Sequence, residues 1–295
     1  MTVVLPTILS ARQWIQAERA SGHTIGLVPT MGFLHEGHLS LIRRARERCD
    51  RVTVSLFVNP IQFGPGEDYE RYPKSFDRDF ALLERENVDA VFYPDAKEMY
   101  PGEPVTVVSV EKLGDGLCGA SRPGHFRGVT TVVAKLFNIL QPDIAFFGQK
   151  DVQQSVIVQR MVEDLNFPVE IEVRPTVREP DGLAMSSRNI YLSPAERAQA
   201  TILYRSLQQA QDMVQSGTRD ASLLKKKMQE MIGAVPEGRL DYVSVVDPCS
   251  LEEVRQIDHD VLVALAVRFG KTRLIDNIII APKKQGETEP GCYAR

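Results

Sequence analysis

Val28-Pro29-Thr30-Met31-Gly32-Phe33-Leu34-His35-Glu36-Gly37-His38 is the stretch on which the reading of this chain turns, because two of its five histidines stand there. Upstream, residues 24 to 28 form a short β-rich run, and downstream Leu39, Ile42, Ala45 and Cys49 recur at helical spacing among Arg43, Arg44, Arg46 and Glu47. The histidines therefore lie where a strand turns into a helix. An i, i+3 pair there puts both imidazoles on one face, beside unpaired backbone N–H groups and the positive end of the helix dipole. Such a position suits phosphate. Gly37 leaves no Cβ between the rings and lets a nucleotide approach the backbone. Two other readings stay open for the pair: ordinary surface or partly buried histidines, and a metal site. Zinc is disfavoured, since no third Cys, His or acidic ligand stands at a convincing spacing.

His-x-Gly-His at such a turn resembles the signature of the nucleotidyl-transfer superfamily that includes the class I aminoacyl-tRNA synthetases. At 295 residues the chain is long enough for one large or two ordinary domains. Its 43% apolar and 25% charged residues are those of a soluble globular protein. A net charge of −4 and a pI near 5.8 argue against nucleic acid or a membrane surface as the partner. Cys49, Cys118, Cys249 and Cys292 form no Cys-x-x-Cys, which reads as reduced thiols in a cytoplasmic protein. No signal-like N-terminus and no apolar run near 18 residues is present.

Working outward, residues 7 to 21 have a helical pattern ending at Gly22, and residues 52 to 58 a second strand, so the opening stretch sits in a βαβ unit. Parallel strands so joined place a ligand at their carboxyl ends. The second strand leads to Asn59-Pro60-Ile61-Gln62, where Gln62 offers both a donor and an acceptor. A helix capped by Ser75 is expected over 75 to 86, a strand over 88 to 93 and another over 105 to 110. Asp77 and Asp79 are more simply helix-start carboxylates than magnesium ligands. A long loop over 114 to 128 carries Arg122, His125 and Arg127 among glycines, then a helix runs from 129 to 140 and a strand from 143 to 147. Gly148-Gln149-Lys150-Asp151 is another strand-to-helix turn, with Lys150 placed to reach a phosphate and Gln154 one helical turn on. Residues 169 to 173 complete the parallel series. Pro175, Pro180, Asp181 and Gly182 then mark a mobile connection and a domain boundary. Met185-Ser186-Ser187-Arg188 offers two hydroxyls and a guanidinium for triphosphate oxygens. One long helix from Ser193 to about Gln215, a Lys-rich helix over 220 to 232 and three strands then make a small α+β unit. The expectation is an α/β fold: a Rossmann-like parallel-sheet domain over 1–174, a smaller C-terminal α+β domain over 175–282, and a disordered tail over 283–295.

Several separated motifs, in order, make the chain resemble the pantothenate synthetase (pantoate–β-alanine ligase) family. They are Pro-Thr-Met-Gly-x-Leu-His-x-Gly-His at 29 to 38, Phe-Val-Asn-Pro-x-Gln-Phe at 57 to 63, Arg-Pro-Gly-His-Phe-Arg-Gly-Val at 122 to 129, Gly-Gln-Lys-Asp at 148 to 151 and Met-Ser-Ser-Arg-Asn at 185 to 189. Some members have Glu where Gln149 stands. The resemblance implies ATP-dependent joining of (R)-pantoate and β-alanine through a pantoyl-adenylate, releasing AMP and diphosphate with Mg2+, in a homodimer. It assigns ATP binding to Met31, Gly32, Phe33, Leu34, His35, Glu36, Gly37 and His38, then to Gly148, Gln149, Lys150 and Asp151, and to Val177, Met185, Ser186, Ser187 and Arg188. Gln62 is assigned to pantoate and β-alanine, Gln154 to pantoate, and His38 to acid catalysis. His35, Lys150 and Arg188 join His38 as catalytic groups, because adenylation needs positive groups where charge gathers on the departing diphosphate. No protein metal ligand is assigned.

Two rivals are distinguishable. A nucleotidyltransferase moving AMP or CMP onto a phosphorylated acceptor would want a basic pocket where Gln62 and Gln154 offer neutral amides. A nucleotide sensor or RNA-binding module is opposed by the acidic pI.

Overall fold

A computed structural model describes residues 1–283; the expected tail and Cys292 lie almost wholly outside the described residues. Nine strands fall into two sheets. The N-terminal part runs β1 (Val3–Leu5), α1 (Ile8–Ala20), β2 (Ile25–Thr30), α2 (Glu36–Arg48), β3 (Arg51–Leu56), α3 (Phe76–Arg85) and β4 (Ala90–Phe92). It continues through short helices α4 (Ala96–Met99) and α5 (Cys118–Ser121), then α6 (His125–Leu140), β5 (Ile144–Gly148), α7 (Val152–Asp164) and β6 (Glu170–Arg174). The strand order is β1-β4-β3-β2-β5-β6, and every pairing is parallel. β2 is thus flanked by β3 and β5, and the crevice at its carboxyl end is where an open α/β sheet holds ligands.

Alternate residues of these strands feed two cores, as a sheet covered on both faces requires. Leu27, Phe92 and Phe147 pack with α1 and α6, while Val28, Val54 and Phe146 pack with α2 and Leu83 of α3. The second part comprises α8 (Pro194–Ala200), α9 (Ile202–Gln215), α10 (Ala221–Gly233) and an antiparallel sheet of β7 (Gly238–Val246), β8 (Val261–Phe269) and β9 (Thr272–Ile280). Its own core fills one face of that sheet, with Leu203, Leu207, Leu224 and Met228 against Val263, Leu265 and Val267. The opposite face meets α7, where Val152 packs on Val246, Leu262 and Ala264. The α/β class with a smaller α+β unit is what the structure contains.

Several local expectations are corrected. Residues 105 to 110 join no strand; Thr130 and Thr131 of α6 hold the Val108 carbonyl, so this segment lies along a helix, not a sheet. The helix expected from Val129 begins at His125, directly after Gly124 in the left-handed region at φ 82°. Ser75 occupies the N-cap of α3 without a side-chain capping bond. The long helix from Ser193 is two helices meeting at Thr201, although the Ser193–Glu196 capping box is present. The connection after Arg174 is tied down, with the Met185 N–H donating to the Val177 carbonyl and Arg197 paired with Glu179 and Asp181. Cys49 and Cys118 are free and buried, whereas Cys249 is disulfide-bonded, which corrects the expectation of reduced thiols there. Among the described residues no helix is long and apolar enough to cross a membrane.

Candidate active site

The β2–α2 turn is held by its own histidines. His35 is the N-cap of α2, and its Nδ1 accepts from the Gly37 N–H at 3.2 Å. His38, three residues on, returns its Nδ1 to the His35 N–H, also at 3.2 Å. The two rings form a capping box in which imidazoles replace the usual hydroxyl and carboxylate. Because both Nδ1 atoms accept, the neutral rings carry their protons on Nε2, and each presents an Nε2–H donor. Burial, with Lys150 nearby, pulls His35 down to about 4. Burial first, then His35 and Lys150, hold His38 well below the ordinary histidine value. Both rings, 4.0 Å apart, are therefore uncharged at neutral pH in the ligand-free protein. A Cβ on Gly37 would stand 2.9 Å from the His35 ring, so this glycine is required by the ring as well as by any ligand.

A buried carboxylate supports the loop from below. Asp79, 2% exposed, accepts from the Phe33 N–H at 2.6 Å and the Leu34 N–H at 2.8 Å, with Gly32 and Phe33 at positive φ. Both its oxygens are thus engaged with the backbone of the loop.

Gln62, 7% exposed, is fixed by a chain from α4 and β3: Tyr100 Oη donates to Asn59 Oδ1, and Asn59 Nδ2 donates to Gln62 Oε1 at 3.0 Å. Gln62 Nε2 turns toward Met31 Sδ, 3.1 Å away. Gly128 lets α6 touch this turn, since a Cβ there would meet the Ile61 carbonyl at 2.4 Å. His125 contacts the Gln62 carbonyl at 2.8 Å and Arg122 at 2.9 Å; burial and Arg122 bring it down to about 4.

These groups line an inner chamber of about 210 Å3 whose far wall is Val129, Val132, Val133 and Leu136 of α6. An outer chamber of about 410 Å3 continues toward β9. Lys150, Asp151, Gln154, Ser186 and Arg188 belong to both walls. Met31, His35, Gly37, His38, Gly148, Val177, Met185 and Ser187 line the inner one. Five residues assigned to ATP by resemblance do not face either chamber. Leu34 is fully buried in the α2-side core, and Phe33 lies beneath the Arg78 guanidinium at 4.7 Å. Glu36 pairs with Arg43 on the exposed face of α2, and Gln149 reaches Asn277 on β9. Gly32 faces a third cavity with Asp79 and Tyr93.

The arginines are already partnered. Arg188 meets Asp68 with two bonds of 2.7 and 2.9 Å, and Arg122 meets Glu67 likewise at 2.7 and 2.6 Å. Ser187 Oγ donates to the Phe33 carbonyl. The buried Ser55 Oγ and the Thr176 Oγ1 stand in the inner wall with no partner among the described residues. Asp68 and Tyr100 carried no sequence signal, Asn59 none beyond sitting near a strand end and Asp79 none beyond sitting at a helix start; only their places in the fold mark them.

The sequence profile of the pantoate-beta-alanine ligase family matches residues 3–279. The chain belongs to that family. Pantothenate synthetase from Syntrophomonas wolfei is 55% identical over 278 residues, covering 94% of this chain and 99% of that protein. The protein of that name from Thermotoga neapolitana is 56% identical over 277 residues, covering 94% and 99% respectively. The solved pantothenate synthetase of Thermus thermophilus superposes with a TM-score of 0.91 at 46% identity, covering 95% of this chain and all, 100%, of that one. The Francisella tularensis pantoate-beta-alanine ligase, solved in complex with beta-gamma ATP and beta-alanine, gives 0.79 at 33% identity, covering 95% and 98%. The superposition covers both the parallel sheet and the smaller antiparallel sheet, since it takes in 95% of this chain.

Proposed function

We propose that this enzyme joins pantoate to β-alanine at the expense of ATP, with the neutral His35–His38 pair and Lys150 holding the nucleotide phosphates. The observation that carries the site assignment is the imidazole capping box, which aims two Nε2–H donors past a helix N-terminus into a chamber floored by Gln62. In the first step a pantoate carboxylate oxygen bonds to the α-phosphorus and the bond to the diphosphate breaks. Charge accumulates on the departing diphosphate, where His38, His35, Lys150 and Arg188 would meet it. Arg188 would exchange part of its contact with Asp68 for phosphate oxygen. The chamber's Val129–Val132–Val133 wall suits the gem-dimethyl carbon of pantoate, and the amides of Gln62 and Gln154 suit its hydroxyls and carboxylate. In the second step the uncharged amine of β-alanine attacks the acyl carbonyl, and AMP leaves with the bonding electrons. Burial of this chamber keeps water from the acyl-adenylate.

Magnesium bound with ATP would neutralise charge on the phosphates. Mg2+ asks for few protein ligands when phosphates and water complete its shell. Among the described residues no cluster of three or more acidic, His or Cys groups could hold a metal. The half-exposed carboxylate of Asp151, in both chamber walls, fits the single contact required.

The same reading divides the chain near 174/175, on the separate cores of the two sheets, and takes a cytoplasmic protein. It also takes a homodimer in which a second copy covers the 105–110 segment, where Val105 is 96% exposed. Sedimentation of wild type beside Val105→Glu would show a monomeric wild type if the dimer is wrong.

Purified protein with Mg2+, ATP and pantoate should exchange radiolabelled diphosphate into ATP, and should release AMP over many turnovers only when β-alanine is added. AMP release independent of β-alanine, or no exchange with pantoate, would overturn the assignment.

A further inference from the structure

We infer that Asn277, on β9 of the second sheet, is a positioning residue that sets Lys150 for the nucleotide, so the smaller sheet takes part in assembling the ATP site. Asn277 is 2% exposed. Its Nδ2 donates to the Gln149 carbonyl at 2.9 Å and to the Lys150 carbonyl at 3.0 Å, while its Oδ1 faces Gln149 Nε2 at 3.4 Å. One side chain therefore occupies two consecutive carbonyls of the β5–α7 turn. That turn has no side-chain cap of its own, either in the short 3-10 turn Gln149–Asp151 or at the start of α7.

The neighbouring residue fixes the opposite wall. Asp276 Oδ1 accepts from the Asn277 N–H at 2.8 Å, and its carboxylate receives Arg178 through bonds of 2.6 and 3.0 Å. Arg178 stands beside Val177 in the segment that returns through Met185 to Arg188. Two adjacent residues of one strand thus hold both the Lys150 turn and the 177–188 wall. Without the Asn277 amide, two carbonyls in a packed interface lose their donor, and the turn must shift to find another. Lys150, whose charge is felt by both His35 and His38, shifts with it.

This inference rests on the reading that Lys150 meets the phosphates, and a double-mutant cycle separates the two. Asn277→Ala should lower kcat/KM for ATP in pantoate-dependent exchange about ten- to a hundred-fold, since small misplacements of a binding group are costly in rate. KM for pantoate should stay within about two-fold of wild type, because Gln62 and its supports are untouched. In a Lys150→Ala background the same substitution should cost less than about two-fold. Losses of equal factor in both backgrounds, or a KM for pantoate rising in step with that for ATP, would overturn the inference. Should Asn277→Ala not fold, the near-isosteric Asn277→Asp, which puts an acceptor against the two carbonyls, runs the same cycle, and the same two outcomes decide it. A wild type without pantoate-dependent exchange would instead overturn the ligase reading beneath it, whereas normal exchange with an additive cycle would sink only the role of Asn277.

Discussion

The β2–α2 turn caps itself: His35 Nδ1 takes the Gly37 N–H and His38 Nδ1 the His35 N–H inside four residues, and Thr30 Oγ1 takes the Gly32 N–H two residues away. The β5–α7 turn, at the carboxyl end of the adjacent strand, has no such internal bonds and depends on Asn277, more than a hundred residues along the chain. Both turns present a nitrogen to one chamber, yet one is stiffened by local chemistry and the other by docking of a second sheet. The self-capped helix start draws its cap from neighbours in sequence, although Asp79 and Ser187 brace the loop before it from a distance. A turn capped from a distance is set only when the two sheets are together, and so can link their relative position to phosphate binding.

The sharpest way to break this contrast is to remove the ring that both caps and projects. His38→Ala should depress pantoate-dependent diphosphate exchange by about 100- to 1,000-fold, the scale of losing one preorganised donor to a developing charge. Its thermal midpoint should stay within a few degrees, because losing one capping bond costs only about 1 kcal/mol. A variant that is unfolded, or one that is fully active, would put the ring's value in the fold or nowhere.

Gly37→Ala tests whether the self-capped geometry itself matters. The new Cβ must displace the His35 ring from 2.9 Å, so exchange should fall by about ten-fold or more, chiefly in kcat/KM for ATP. An unchanged rate would mean that the His35–Gly37 bond is dispensable.

The remaining test reads stability, not rate, against pH. His35 and His125 lie at about 4 in the folded protein, below the value near 6.5 of an exposed histidine. The unfolded chain therefore takes up protons first as pH falls. Stability should be fully present above about pH 6.5 and decline toward pH 4 at roughly 1.4 kcal/mol per pH unit for each such histidine. Urea unfolding at stepped pH should show this slope, and His125→Asn should remove one share of it. A flat profile over that window would mean that these rings are protonated in the folded state.

Much of the first turn was legible because its determinants are neighbours in sequence. His-x-Gly-His after a β-rich run and before a helical one states the position, though not that the rings cap the helix, and the parallel series follows from alternating apolar runs. Gln62, Lys150 and Gln154 were legible for the same reason, as polar residues just beyond strand ends. The 105–110 segment misled because Val-rich alternation records a preference for extended backbone, not the presence of a neighbouring strand. Leu34 and Gln149 misled because a contiguous motif does not tell which of its side chains turn inward.

By itself the sequence determined most of the parallel series of strands and helices, the histidine pair at the mouth of the first crossover, and the amides just past strand ends, since each depends on spacing within a few residues. Only the tertiary structure decided that Asp79 braces the loop, that Arg188 and Arg122 are held by Asp68 and Glu67, and that Asn277 caps the Lys150 turn. The reason is physical: those bonds join groups from 45 to 127 positions apart, and no local preference of the chain fixes which distant donor will meet which buried acceptor.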